Sequence, residues 1–233
     1  MGHKKLIRFA ELETFENVLQ FPKNIKGKWS EFFKNTSPIV LELACGKGEY
    51  AVGLGMLYPQ KNFIGVDLKG NRIWVGAKNA LENNLHNVAF LRTQIDRVNE
   101  YFSTDEVDEI WITFPDPQLR KSKAKKRLTH PKFLRLYQQF LRPGGYIHLK
   151  TDSPDLYHFT KKVIELYGCE LHSDHQDLYG EENISEYLKI KTHYESLDIA
   201  GSHRVHYICF SLREPLPGKE RDEELKQILK NEQ

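Results

Sequence analysis

A doubly wound α/β fold with a mostly parallel, Rossmann-like sheet is what this sequence predicts. Two observations carry the expectation. Short apolar runs alternate with helical patterns, and the first run opens directly into the glycine turn Gly46-Lys47-Gly48. Such alternation builds βαβ units, and a glycine turn between strand and helix brings the backbone close to a ligand at a helix N-terminus.

Taken in order, residues 1–37 read as a basic arm (His3 to Arg8), a helical stretch around Ala10 to Leu19 and a polar approach. The core domain follows at 38–213. Its first strand is PIVLELA (Pro38 to Ala44), with a helix after Gly48. NFIGVD (Asn62 to Asp67) is the second, with a helix through Ile73, Ala77, Ala80 and Leu81. NVAFLRT and EIWITF (Glu109 to Phe114) are the third and fourth. A helix around Phe133 to Leu141 meets stop chemistry at Pro143-Gly144-Gly145. YIHLKTD (Tyr146 to Asp152) is the fifth strand, and Leu156 to Leu166 is a helix. CELHS and RVHYICFSL (Arg204 to Leu212) complete seven strands. The charged tail at 214–233 reads as an exposed, loosely held helix with a weak stripe of Leu225, Ile228 and Leu229. Ligands of such sheets sit beyond the carboxyl ends of the strands. The residues of interest are therefore Glu42 to Gly48, Asp67, Gln94, Phe114 to Arg120 and Lys150 to Asp152.

Composition narrows the function classes. No apolar run reaches the length of a membrane span, and no secretory leader pattern opens the chain. Cys45, Cys169 and Cys209 lie far apart without CxxC spacing, which argues against a disulfide framework or zinc site and for a cytoplasmic setting. Net charge is only +2, but it is unevenly placed: six of the eight residues from Arg120 to Arg127 are basic. His172, Asp174, His175 and Asp177 imitate a metal cluster. Strand alternation throws such neighbours to opposite faces, so a structural reading is preferred and no metal is expected. Nothing in the sequence selects between a monomer and a homodimer.

The glycine turn alone leaves two cofactors open. Gly46-x-Gly48-x-x-Ala51, with Asp67 beyond it, satisfies the relaxed dinucleotide fingerprint. Glu42 separates the two. A carboxylate four residues before Gly46 repels a pyrophosphate but attracts the ammonium and sulfonium of S-adenosylmethionine. Asp67, ending an apolar strand, is suited to accept both ribose hydroxyls. A dinucleotide oxidoreductase is thereby disfavoured.

After the fourth strand, Asp116 stands between Pro115 and Pro117, a stiff turn suited to positioning a substrate, and the basic run follows. The run adjoins this turn, which points to sequence-independent RNA phosphate contacts rather than a merely solvated loop. Here the chain resembles the bacterial tRNA (guanine-N7-)-methyltransferase family. That family's hallmark S-D-P-W-P-K-K-R-H-x-K-R-R-L-T stands here as P-D-P-Q-L-R-K-S-K-A-K-K-R-L-T, without a length change. The resemblance runs in order through ELACGKGEY, NFIGVD, EVDEIWITFPDP, KKRLTHPKFLRLY, HLKTD and Thr192-His193-Tyr194-Glu195, over roughly residues 38 to 212.

The resemblance implies a class I methyltransferase fold with an antiparallel last strand, S-adenosylmethionine as cofactor and a guanine of the tRNA variable loop as target. It implies Glu42, Gly46, Gly48, Asp67 and Gln94 as cofactor contacts, and Asp116 as the catalytic, cofactor-adjacent carboxylate. Arg120, Asp152, Thr192, His193, Tyr194 and Glu195 would meet the target nucleotide. Lys121, Lys123, Lys125, Lys126 and Arg127 would hold the RNA backbone. Three positions depart from the pattern. Ala44 replaces a glycine, an exchange that ordinary dihedrals would accommodate; Gln94 replaces an aspartate, with Asp96 nearby as a substitute; and Gln118-Leu119 replaces Trp-Pro, with Arg120 in place of lysine.

Other readings fit less well. One is an amino-methyltransferase on DNA or protein; those acting on adenine or cytosine amines typically carry Asn/Asp-Pro-Pro-aromatic after strand four, which Phe114-Pro115-Asp116-Pro117 is not. A non-catalytic RNA-binding module would not be expected to keep Glu42, Asp67, Asp116, Asp152 and Glu195 together.

Overall fold

The computed structural model describes residues 3–199, 201 and 203–231; Met1 and Gly2 of the arm and the last two residues of the tail lie outside them. Seven strands were expected, and the sheet has eight, in the order β1-β4-β3-β2-β5-β6-β8-β7. These are β1 (Val18–Gln20), β2 (Ile39–Leu43), β3 (Asn62–Asp67), β4 (Val88–Arg92), β5 (Val107–Thr113), β6 (Leu141–Thr151), β7 (Glu170–His175) and β8 (His206–Ser211). β8 runs antiparallel to both neighbours, and the other pairings are parallel.

The chain winds outward from β2 through β3 to β4, then returns to place β5 on the other side of β2. Beyond the carboxyl ends of β2 and β5 the connections diverge, which opens the crevice in which doubly wound folds bind ligands. β2 and β3 are buried throughout, so both faces are covered and their sequences are apolar rather than alternating. One face carries Trp29 and Phe33 of α2 (Trp29–Phe33) together with Phe102, Tyr137, Phe140 and Tyr167. The other packs under α3 (Glu49–Leu57) and α4 (Gly70–Glu82), with Tyr50, Ile73, Trp111 and Tyr207 inside.

The eighth strand comes from the segment expected to be helical up to Leu19. The first helix, α1 (His3–Leu12), ends early, and Val18 to Gln20 pair with Phe90 to Arg92 at the edge of β4. Phe90 N donates to Asn17 O at 2.8 Å, Phe21 N to Arg92 O at 3.1 Å, and the Asn17 amide to Ala77 O at 3.0 Å. An open sheet edge takes up an extended segment to satisfy its polar groups, and this overrides local helical pattern. α1 lies on α4, where Trp74 Nε1 donates to Glu11 at 2.7 Å.

Two further differences concern element ends. The helix expected to reach Leu141 is α5 (Pro131–Tyr137), and Leu141 already pairs with Val107. Pro143 to Gly145 form an irregularity inside β6, whose pairing resumes at Tyr146 opposite Glu109. Two more helices, α6 (Pro154–Tyr167) and α7 (Glu186–Lys189), flank β7 before the tail. The tail helix, here α8 (Lys219–Asn231), is docked rather than loose. Leu225 is 2% exposed, and Asp222 takes hydrogen bonds from Arg135 at 2.6 and 3.0 Å and from Tyr167 at 2.5 Å. Among the described residues no helix is long and apolar enough to cross a membrane.

Candidate active site

The turn after β2 is a run of left-handed residues. Ala44, Gly46 and Gly48 have φ of 58°, 57° and 70°. The turn is closed by Gly48 N to Cys45 O at 2.7 Å and by Gly46 N to Asp67 Oδ2 at 3.0 Å. Gly48 is required twice over: besides its φ, a Cβ there would lie 2.4 Å from the Phe90 ring. The ordinary dihedrals expected of Ala44 are not found, so its methyl group is strained. Ala44→Gly is expected to stabilise the fold by about 1 kcal/mol, raising Tm by about 2–4 °C. A lower Tm in a thermal melt would show that the methyl packing outweighs the strain.

Glu42 lies within β2 at 2% exposure, on the α3 side of the sheet. Oε2 accepts from Ala51 N at 2.9 Å, and Oε1 accepts from the Thr113 hydroxyl at 2.9 Å. Burial raises its pKa to about 8, against these two hydrogen bonds and with the added push of Glu49 and Asp67. The free protein therefore holds this group neutral at pH 7, and a ligand cation would favour its ionisation. The folded state keeps a proton that the unfolded chain loses near pH 4.5, so this residue's contribution falls from that pH up to about 8. Glu42→Gln is expected to stabilise the ligand-free protein by roughly 2 kcal/mol or more at pH 8. Little gain is expected at pH 5, and binding of a cationic cofactor should weaken. Thermal melts at the two pH values check the sign, and an equal gain at both contradicts it.

Asp67 ends β3, with Oδ1 receiving Lys69 N at 2.8 Å and Oδ2 the glycine turn. Beside it opens a cleft of about 450 Å³ lined by Ala44, Asp67, Gln94, Asp96, Lys126 and Phe133 among others. Gln94 is exposed there, whereas Asp96 forms an ion pair with Lys132.

Asp116 lies just beyond β5, the parallel neighbour of β2. Its exposed side chain receives Gln118 N at 3.0 Å, and Phe114 and Gln118 on either side have φ of 45° and 48°. Lys121 to Lys126 form a short 3₁₀ segment with Arg120 at its start; Lys121, Lys123, Lys125 and Lys126 are exposed, and Ala124 is buried beneath them. Arg127, grouped above with the RNA-backbone residues, is placed differently. At 6% exposure it donates to Pro117 O at 3.1 Å and Gln118 O at 3.3 Å, with its guanidinium 4.5 Å from the Phe159 ring centre. It fastens the Asp116 turn from inside, a task that draws it away from solvent.

Lys150 is of interest from its place at the end of the fifth predicted strand, but its partners are not legible in the sequence. It is fully buried, and its ammonium donates to Tyr179 OH at 2.9 Å, Leu188 O at 3.0 Å, Ile190 O at 2.9 Å and Glu195 Oε2 at 3.1 Å. Burial lowers its pKa to about 8, opposed by Glu195. Tyr179 also donates to Glu195, and Glu195 N donates to Thr192 Oγ1 at 3.1 Å. One buried cation thus ties residues 179–195 to the carboxyl end of β6. The fastened segment carries Thr192 (5% exposed), His193, whose N–H reaches Glu49 at 3.3 Å, and Tyr194. A Cβ on Gly46 would lie 3.2 Å from the Tyr194 ring, so that ring caps the glycine turn. Asp152 and Glu195 share an adjoining pocket of about 300 Å³.

The apparent metal cluster is dispersed into local pairs. His172 bonds Ser211, Asp174 bonds Tyr157 and Lys161, and His175 bonds Ser173 and Glu181. Among the described residues no group of His, Cys, Asp or Glu is arranged to hold a metal ion.

A family model described as a putative methyltransferase matches residues 36–207. A tRNA (guanine-N(7)-)-methyltransferase of Porphyromonas gingivalis is 49% identical over 216 residues, 88% of each chain. Another, of Christiangramia forsetii, is 48% identical over 91% of this chain and 100% of its own. This chain belongs to the tRNA (guanine-N7-)-methyltransferase family. Its fold is shared more widely. The crystal structure of the 16S rRNA methyltransferase KamB superposes with a TM-score of 0.60 at 15% identity, over 80% of this chain and 93% of that one. A SAM-dependent methyltransferase from Aquifex aeolicus gives 0.52 at 13% identity, over 88% and 98%. The glycine turn and the Asp116 turn follow the carboxyl ends of adjacent parallel strands, β2 and β5.

Proposed function

We propose that this protein transfers the methyl group of S-adenosylmethionine to N7 of a guanine in tRNA, forming 7-methylguanosine, and that the guanine lies in the variable loop. The observation that carries the reading is that Lys126 of the basic run lines the same cleft as Ala44 and Asp67, while Asp116 follows β5, the parallel neighbour of β2. Relatives named for this reaction align along almost the whole chain. A cytoplasmic location follows from the same reading, since the substrate is tRNA.

The cofactor fits the cleft on chemical grounds. Gly46 and Gly48 let its amino-acid end approach the backbone, and Glu42, once ionised, offsets the cofactor's positive charge. Asp67 accepts from the ribose hydroxyls and Gln94 from the adenine amine, since Asp96 is engaged by Lys132. The target base enters between Asp116 and Asp152, held by Arg120 and the Thr192 to Glu195 segment, while Lys121, Lys123, Lys125 and Lys126 hold phosphates.

Guanine N7 presents an in-plane lone pair, so attack on the sulfonium methyl requires no general base. Alignment of donor, methyl and acceptor supplies much of the acceleration. Positive charge leaves sulfur and appears on the purine as the methyl passes. Fixed carboxylates at Asp116 and Asp152 stabilise that charge and accept from the guanine N1–H and amine. N7 of a base inside folded RNA is hard to reach, which makes an exposed or extruded guanine the substrate.

Incubation with labelled S-adenosylmethionine and unmodified bulk tRNA, followed by nucleoside mass analysis, tests the reading. Labelled 7-methylguanosine is expected. Label in another nucleoside, in DNA or in protein overturns it.

A further inference from the structure

The described surface holds one large groove outside the candidate active site whose lining is sorted by charge. It has a volume of about 560 Å³ and runs between the Lys121–Lys126 turn and α8. Lys121 and Lys125 stand on one wall and Lys219, Lys226 and Lys230 on the other, all exposed. Ala124 and Leu225, both buried, lie along the floor.

The sorting is not a matter of composition, because α8 carries four basic and four acidic residues and is neutral overall. Lys219, Lys226 and Lys230 are spaced by seven and four residues, which aligns them on one helical face over about 16 Å. Glu220, Arg221 and Glu224 are absent from the groove lining, and Arg221 pairs with Glu224. Two acids do reach the groove. Asp222 is engaged by Arg135 and Tyr167, and Glu223 by Lys226 at 3.1 Å. Five lysines against two carboxylates, one of them paired with Lys226 and the other with Arg135, leave the lining net cationic and continuous with the basic run.

We propose that this groove is a second track for the phosphate backbone of the same tRNA, with α8 as its outer wall. The inference rests on the tRNA reading above and extends its interface to the C-terminal helix. A strand of RNA presents a phosphate every few ångströms, so a row of this length meets several of them. Apolar floor between cationic rims also suits sugar and base edges better than a strongly hydrated small anion. The docking of α8 through Asp222 and Leu225 fixes the rims in advance, so little ordering accompanies binding.

The test measures binding of unmodified tRNA over a salt series in the full-length protein, for wild type, for the triple variant Lys219→Ala, Lys226→Ala, Lys230→Ala, and for Glu223→Lys. The triple variant is expected to raise Kd about tenfold at low salt and to flatten the slope of log K against log salt by about two. Its loss of activity is expected in KM for tRNA, with cofactor affinity retained. Glu223→Lys, which adds a cation without touching Asp222, is expected to tighten binding and steepen the slope. It decides the matter should the triple variant melt early. Kd and slope unmoved in both variants overturn the inference. That outcome with a wild type that still forms 7-methylguanosine leaves the function intact, whereas a wild type that forms none overturns the function itself.

Discussion

Asp116→Asn is expected to lower kcat for tRNA methylation by roughly 10²- to 10³-fold, with cofactor affinity changed less than threefold. The substitution isolates charge from shape. Asp116 Oδ1 receives Gln118 N at 3.0 Å, and an asparagine oxygen can keep that bond and so keep the turn. Arg127 continues to hold Pro117 and Gln118 from beneath. What is lost is the negative charge beside a ring that becomes cationic in the transition state, so the effect belongs in kcat. Single-turnover rates with saturating S-adenosylmethionine and tRNA are the measurement. A rate within threefold of wild type removes Asp116 from the catalytic role.

Lys150→Met has the second large expected effect, and it acts through position rather than contact with substrate. The ammonium satisfies Leu188 O, Ile190 O, Tyr179 OH and Glu195 together, in a socket walled by the rings of Tyr50 (5.3 Å), Phe114 (5.8 Å) and Tyr179 (5.2 Å). Methionine fills the space but leaves buried acceptors and a carboxylate without their cation, a change that costs about 3–5 kcal/mol. The 179–195 segment should open, and with it the Tyr194 cap over Gly46. Hydrogen exchange is expected to show protection lost across 179–195 while β2 to β5 keep theirs, with kcat/KM down at least a hundredfold. The wild type should show a related pH effect. Because the Lys150 pKa is lowered to about 8, alkaline pH removes the tie and activity should decline above that value. Uniform exchange and undiminished activity in the variant contradict this account of the residue.

Much of the fold was legible because buried parallel strands leave a strong trace. IVLEL and NFIGVD are apolar almost without interruption, and each is followed by a turn and a helix. β1 left no such trace. Three residues carry no period, and its strand state exists only through the edge of β4. The end of α5 is not legible, because Leu141 is apolar in either role, and only its pairing with Val107 decides for strand. At the candidate site, residues bound to one another locally were readable, such as the glycine turn and the proline-flanked aspartate. Roles set by distant partners were not. Arg127 looks like one more cation in a basic run, yet Phe159 and two carbonyls claim it. Lys150 carried a weak signal, a lysine inside an otherwise buried strand, which demands a partner. That partner, Glu195, lies 45 residues away. Thr113, which holds Glu42, was hidden in the same way.

The most direct measurement reads the position of the new methyl group itself. An unmodified tRNA transcript, incubated with the protein and S-adenosylmethionine, is treated with borohydride and aniline, which cleave RNA only where N7 methylation has made the guanine ring reducible. Cleavage is expected at one guanine of the variable loop, absent without enzyme and nearly absent with Asp116→Asn. Methyl incorporation without cleavage, or cleavage at guanines elsewhere in the transcript, contradicts this expectation.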